Sequence, residues 1–84
     1  MIYKIEVPNS VVKQLKKIPE NDRKRIVKAI DSLASLPLPS DVKKLKGYEF
    51  YRIRSGDYRI IYSIENKKLV ILIIKVAHRK EVYR

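Results

Sequence analysis

The sequence contains no cysteine, so disulfides, thiol nucleophiles and thiolate metal ligands are excluded, and a reducing cytoplasm is the expected setting. It contains one histidine, too few for a protein-held zinc site, which needs about three or four such ligands. Neither of its two glycines, Gly47 and Gly56, stands in a phosphate-loop pattern. The nine acidic residues are dispersed, with no paired carboxylates of the kind glycosidases use. No serine has an obvious histidine partner. The longest apolar run, Leu69 to Ile74, is far short of the ~20 residues a membrane helix requires. The opening segment MIYKIEVP lacks the apolar stretch of a secretory signal. No cofactor and no membrane partner are expected.

What is present is positive charge. The formal net charge is +11 over 84 residues. Residues 1–42 carry 8 Lys/Arg against 5 Asp/Glu, and residues 43–84 carry 12 against 4. A lysine-rich thermophilic surface would bring glutamates with it. Their scarcity here favours a polyanionic partner. Hydrophobic residues make up 45% of the chain, enough for one modest core, and residues 1–84 read as a single domain.

The periodicity predicts the elements. Residues 2–7 are β-prone and stop at Pro8. Asn9 or Ser10 can cap a helix whose apolar face is Val11, Leu15 and Ile18. Asn21 or Asp22 can cap a second, with Ile26, Ile30 and Leu33 as its stripe. From Leu45 the period becomes two. Phe50, Arg52 and Arg54 share one face, and Tyr51, Ile53 and Ser55 the other. Ser55-Gly56-Asp57 is a turn signal. Beyond it Tyr58, Ile60, Tyr62 and Ile64 alternate with Arg59, Ile61 and Ser63. Leu69 to Val76, interrupted by Lys75, reads as a central strand buried on both faces. The expected fold is α+β, ordered β-α-α-β-β-β: an antiparallel sheet with an N-terminal helical hairpin packed on it.

The chemistry left to such a chain is that of arginine. Arg52 and Arg54 lie two apart on one strand, and Arg59 follows the turn; the register decides whether it joins their face. Guanidinium groups suit phosphate because the planar fork makes two hydrogen bonds at once. The competing reading pairs them with Asp57, Glu49 or Glu65 across the sheet. Lys43, Lys44 and Lys46 form a candidate RNA- or ribosome-steering patch. Tyr58 and Tyr62 read as core or half-buried strand residues.

The segments Lys43-Lys44-Leu45-Lys46-Gly47, Tyr51-Arg52-Ile53-Arg54-Ser55-Gly56-Asp57-Tyr58-Arg59-Ile60-Ile61-Tyr62 and His78-Arg79-Lys80-Glu81-Val82-Tyr83-Arg84 resemble the RelE/ParE toxin superfamily. The tail pattern favours the RelE-like branch of mRNA interferases. The resemblance implies a toxin of a toxin–antitoxin pair, acting as a metal-independent endoribonuclease on mRNA in the ribosomal A site. The RNA 2′-hydroxyl would attack the neighbouring phosphate, giving a 2′,3′-cyclic phosphate and a free 5′-hydroxyl. It also implies a RelB-like antitoxin, with operator DNA reached only through it.

Carried over by position, Arg59 holds the scissile phosphate, Arg79 serves the same charge or the leaving oxygen, and Tyr83 stacks on or orients the nucleotide. Arg52 and Arg54 occupy strand positions where relatives place other basic groups. Well-known RelE members use lysines near the nucleophile; arginine does not deprotonate, so the general base is unassigned. His78 is the side chain whose ordinary pKa lies near neutrality. Two other readings share the scaffold: a ParE-like gyrase poison without a nuclease site, and an inactive co-repressor that binds the antitoxin.

Overall fold

β1 (Lys4–Glu6) leads into α1 (Asn9–Lys16) and α2 (Glu20–Ser32), followed by β2 (Lys43–Lys44), β3 (Phe50–Ser55), β4 (Tyr58–Glu65) and β5 (Val70–His78). These elements come from a computed structural model that describes residues 2–45, 47, 49–78 and 80.

Both helices start one residue after a proline rather than at the expected polar caps. Pro8 is extended (φ −64°, ψ 158°), and its carbonyl accepts from the Val11 and Val12 N–H groups at 2.9 and 3.0 Å. The Pro19 carbonyl accepts from the Arg23 N–H at 2.8 Å. A proline has no N–H to leave unsatisfied, so it serves as a boundary without a side-chain bond. Glu20 and Asp22 in the first turn of α2 complement the positive end of its dipole.

The sheet order is β1-β5-β4-β3-β2. Neighbours from β2 to β5 pair antiparallel, as the alternating segments and short turns predict. β1 differs: it pairs parallel with β5, Lys4 opposite Val70 and Glu6 opposite Leu72. The sheet is therefore mixed. The helices carry the chain away from β1 and three antiparallel passes bring it back, so the last strand falls beside the first. β1 covers only three residues of β5. Beyond them the Val76 N–H donates to Gln14 Oε1 of α1 at 2.9 Å, replacing a strand partner.

One face of the sheet carries the helices. Val11, Ile18, Ile26, Ile30 and Leu33 pack with Ile53, Ile60, Tyr62, Ile71, Ile73 and Val76 in one buried cluster. Each fully covered branched side chain contributes about 1.5–3 kcal/mol. Tyr62 is wholly buried; its hydroxyl donates to the Pro37 carbonyl at 2.6 Å and its ring leans on Tyr51 at 5.9 Å. Burial, reinforced by Tyr51 and Asp41, pushes its pKa up to about 12.

β5 is central but not buried on both faces. Ile71, Ile73 and Val76 are buried against the helices, whereas Val70, Leu72 and Ile74 are half-buried. The pairing slips between Ile61 and Tyr62: Ile61 faces Lys75 while Tyr62 faces Ile73, leaving Ile74 as an extra residue in β5. That bulge reverses the alternation. It keeps Val76 inward and turns Lys75 outward. Among the described residues no helix is long and apolar enough to cross a membrane.

Candidate active site

The β3–β4 hairpin sets the geometry. Ser55 pairs with Tyr58 across a two-residue turn, and Gly56 takes φ +59° in its first position. That conformation suits glycine at a tight primed hairpin turn. The register then places Arg54 directly opposite Arg59, and Arg52 opposite Ile61. Opposed residues project to the same face, so all three arginines stand on the helix-free side. On the edge strand Lys43 pairs with Arg52 and joins them; Lys44 pairs with Tyr51 and points to the other side.

Two rows therefore cross the open face. One runs Lys43, Arg52, Ile61, Lys75, and the other Arg54, Arg59, Ala77. Arg54 and Lys43 are exposed and Arg52 is half-buried, while Arg59 is only 3% exposed. A cleft of about 230 Å³ is lined by Asp41, Lys43, Arg52 and Arg54. A smaller hollow of about 110 Å³ adjoins it, lined by Arg54, Gly56, Asp57, Tyr58 and Arg59. Among the described residues neither Arg52 nor Arg54 forms an ion pair; the pair present is Lys24–Glu20, 3.3 Å apart on α2.

His78 stands apart from this group. It pairs with Tyr58, whereas Arg59 pairs with Ala77, so His78 projects to the helix side. Its ring meets Tyr58 edge-on at 5.3 Å and 88°. Its Nδ1 accepts from the Lys80 N–H at 3.2 Å, which leaves Nε2 to carry the proton of the neutral ring. It lines a different cleft, of about 260 Å³, with Gln14, Lys17 and Ile18. The sheet thus separates the one histidine from the three arginines. Arg79, Tyr83 and Lys46 lie outside the described residues. Two polar residues at or near the cleft escaped the sequence reading, Asp41 and Lys75. Lys75 left one trace, a lone cation inside an apolar strand.

The comparisons agree with this architecture. The family described as the ParE toxin of type II toxin–antitoxin systems (parDE) matches residues 5–83. This chain belongs to the RelE/ParE toxin family. Toxin RelE3 of Methanocaldococcus jannaschii is 42% identical, covering 95% of this chain and 94% of its own. In the RelE–RelB complex from Pyrococcus horikoshii, a solved chain matches with a TM-score of 0.84 and 39% identity, over 94% of this chain and 97% of that one. The toxin–antitoxin complex RelBE2 from Mycobacterium tuberculosis gives 0.83 and 26%, over 94% and 100%. In this RelE/ParE-family toxin the open face carries the arginines and the covered face carries the core.

Proposed function

We propose that the protein is the toxin of a RelBE-type pair and cleaves mRNA on the ribosome without a metal. The observation that carries this reading is the direct opposition of Arg54 and Arg59 beside Arg52 on the helix-free face. Exposed Arg54 and half-buried Arg52 suit a phosphate there, since each planar guanidinium fork can make two hydrogen bonds to its oxygens.

In the reaction the 2′-oxygen attacks phosphorus, the P–O5′ bond breaks, and a 2′,3′-cyclic phosphate and a 5′-hydroxyl result. Negative charge grows on the phosphoryl oxygens in the transition state. A preorganised cation there is worth about 2–4 kcal/mol. Exposed Arg54 meets the phosphate. Arg59, covered by the protein, reinforces it from a less polar setting in which charge acts over a longer range. Arg52 and Lys43 hold the adjoining backbone. Arg79 and Tyr83 act from the tail on the leaving oxygen and the nucleotide. Because His78 faces the other side, it is assigned no role as base to the 2′-hydroxyl at the arginines. The ribosome supplies the attack geometry, which accounts for much of the remaining rate.

The solved RelE–RelB and RelBE2 relatives are complexes with an antitoxin, which supports a RelB-like partner here, in the cytoplasm. Primer extension on mRNA from cells making the protein tests the activity: discrete cuts within translated frames are expected. A second reading, a ParE-like gyrase poison, is favoured by the description of the matching family. A supercoiling assay run beside the primer extension separates them, since inhibited gyrase with intact mRNA would replace the first reading by the second.

A further inference from the structure

The bulge in β5 has a chemical consequence for the open face. Were Ile74 an ordinary paired residue and not a bulge, strict alternation from Ile71 and Ile73 would aim Lys75 into the core. With it, Lys75 is exposed and stands opposite Ile61, on the diagonal from Arg59, with side-chain origins roughly 7–8 Å apart. β5 is flanked by β1 and β4, yet β1 reaches only Leu72, so Lys75 lies on open sheet past the end of β1. The acids that the register puts on this face, Glu6 opposite Leu72 and Glu65 opposite Val70, lie toward the other end of the strand. From Lys43 to Lys75 the row crosses three inter-strand steps, about 14 Å. That is longer than one phosphodiester needs. Half-buried Ile61 in its middle offers an apolar spot between two cationic ends.

Resting on the endonuclease reading above, we propose that Lys75 binds an RNA backbone phosphate flanking the one that is cut. The open face is then a track at least two phosphates long, anchored by Arg52 and Lys43 at one end and by Lys75 at the other. Lysine suits this task, since it supplies a point charge on a flexible stem and needs no fixed bidentate geometry. Lys75 is a positioning contact and takes no part in the bond changes.

The full-length protein is titrated with a single-stranded oligouridylate of about 12 nucleotides, within the range that single-strand binders occupy, at several salt concentrations. Lys75→Ala is expected to weaken binding about three- to tenfold and to make the logarithmic salt slope shallower by about 0.7. Lys75→Arg should restore both. Lys28→Ala removes the same charge from the helix side and should leave the slope close to that of the wild type. On programmed ribosomes, Lys75→Ala should raise KM while kcat stays within about twofold. An unchanged slope in Lys75→Ala, an equal loss in Lys28→Ala, or failure of Lys75→Arg to restore binding would each overturn the assignment. If the wild type cuts no mRNA on ribosomes, the endonuclease reading falls, and the oligonucleotide titration still decides whether Lys75 grips a phosphate.

Discussion

Arg54 and Arg59 face each other across the β3–β4 hairpin in direct register, one exposed and the other 3% exposed. Under the proposed function, the exposed member is the one open to a ligand, and the covered one lies within the sheet surface.

Their inequality predicts different mutant behaviour. Arg54→Ala should lower single-turnover cleavage on translating ribosomes about 10²-fold or more, the loss of one charge-stabilising group. Its thermal midpoint should stay near the wild-type value, because an exposed side chain is removed. Arg59→Ala should also relieve growth arrest, but with a loss of thermal stability, because it empties a covered position. Full toxicity in both variants would refute the assignment.

Ribosome binding should weaken steeply as salt rises, with a logarithmic slope set by the number of phosphates engaged. Sedimentation at graded potassium chloride measures it. A flat profile would point to an apolar protein contact instead.

Tyr62 predicts an alkaline limit to stability. Its folded pKa, about 12, exceeds the ordinary value of 10.0. Below pH 10 the hydroxyl is protonated in both states and its contribution is complete. Between pH 10 and 12 the unfolded chain gives up the proton while the folded chain keeps it, so stability falls with rising pH. The loss approaches 2–3 kcal/mol, about 1.4 per unit of pKa difference. Tyr62→Phe should flatten that slope and cost about 1 kcal/mol at neutral pH through the lost bond to the Pro37 carbonyl. Urea unfolding at stepped pH reads both.

Gly56 should tolerate no side chain without strain. A Cβ there would meet nothing within 4 Å, so the cost comes from the backbone, held at φ +59°. Gly56→Ala is expected to lose about 1–2 kcal/mol. Since this turn sets the Arg54–Arg59 register, cleavage should fall with stability, and chemical denaturation beside a cleavage assay shows whether the two move together.

Local pattern carried much of this structure. The two-residue alternation put Ile53 inward and Arg52 and Arg54 outward, and the Gly56-Asp57 turn fixed the pairing that brings Arg59 to their face. Helical spacing identified Val11, Ile18, Ile26, Ile30 and Leu33 as core. Three features were not legible because they arise at long range. A three-residue strand such as β1 has no pattern that selects a parallel partner some 66 positions away. A bulge is one unpaired residue, visible only once two strands are laid together, and it decides the faces of Lys75, Val76 and His78. The covering of Arg59 depends on neighbours in space, which alternation along one strand does not reveal.

The hydrogen bond from the Val76 amide to Gln14 makes α1 the guard of an otherwise bare strand margin. A bare margin invites another chain to zip on and seed fibrils. The far margin is handled differently: β2 is two exposed lysines, Lys43 and Lys44, which repel a copy of themselves. The molecule thus shields one rim with a side-chain amide and the other with charge, and any extended peptide docking beside Val76 must first prise Gln14 away.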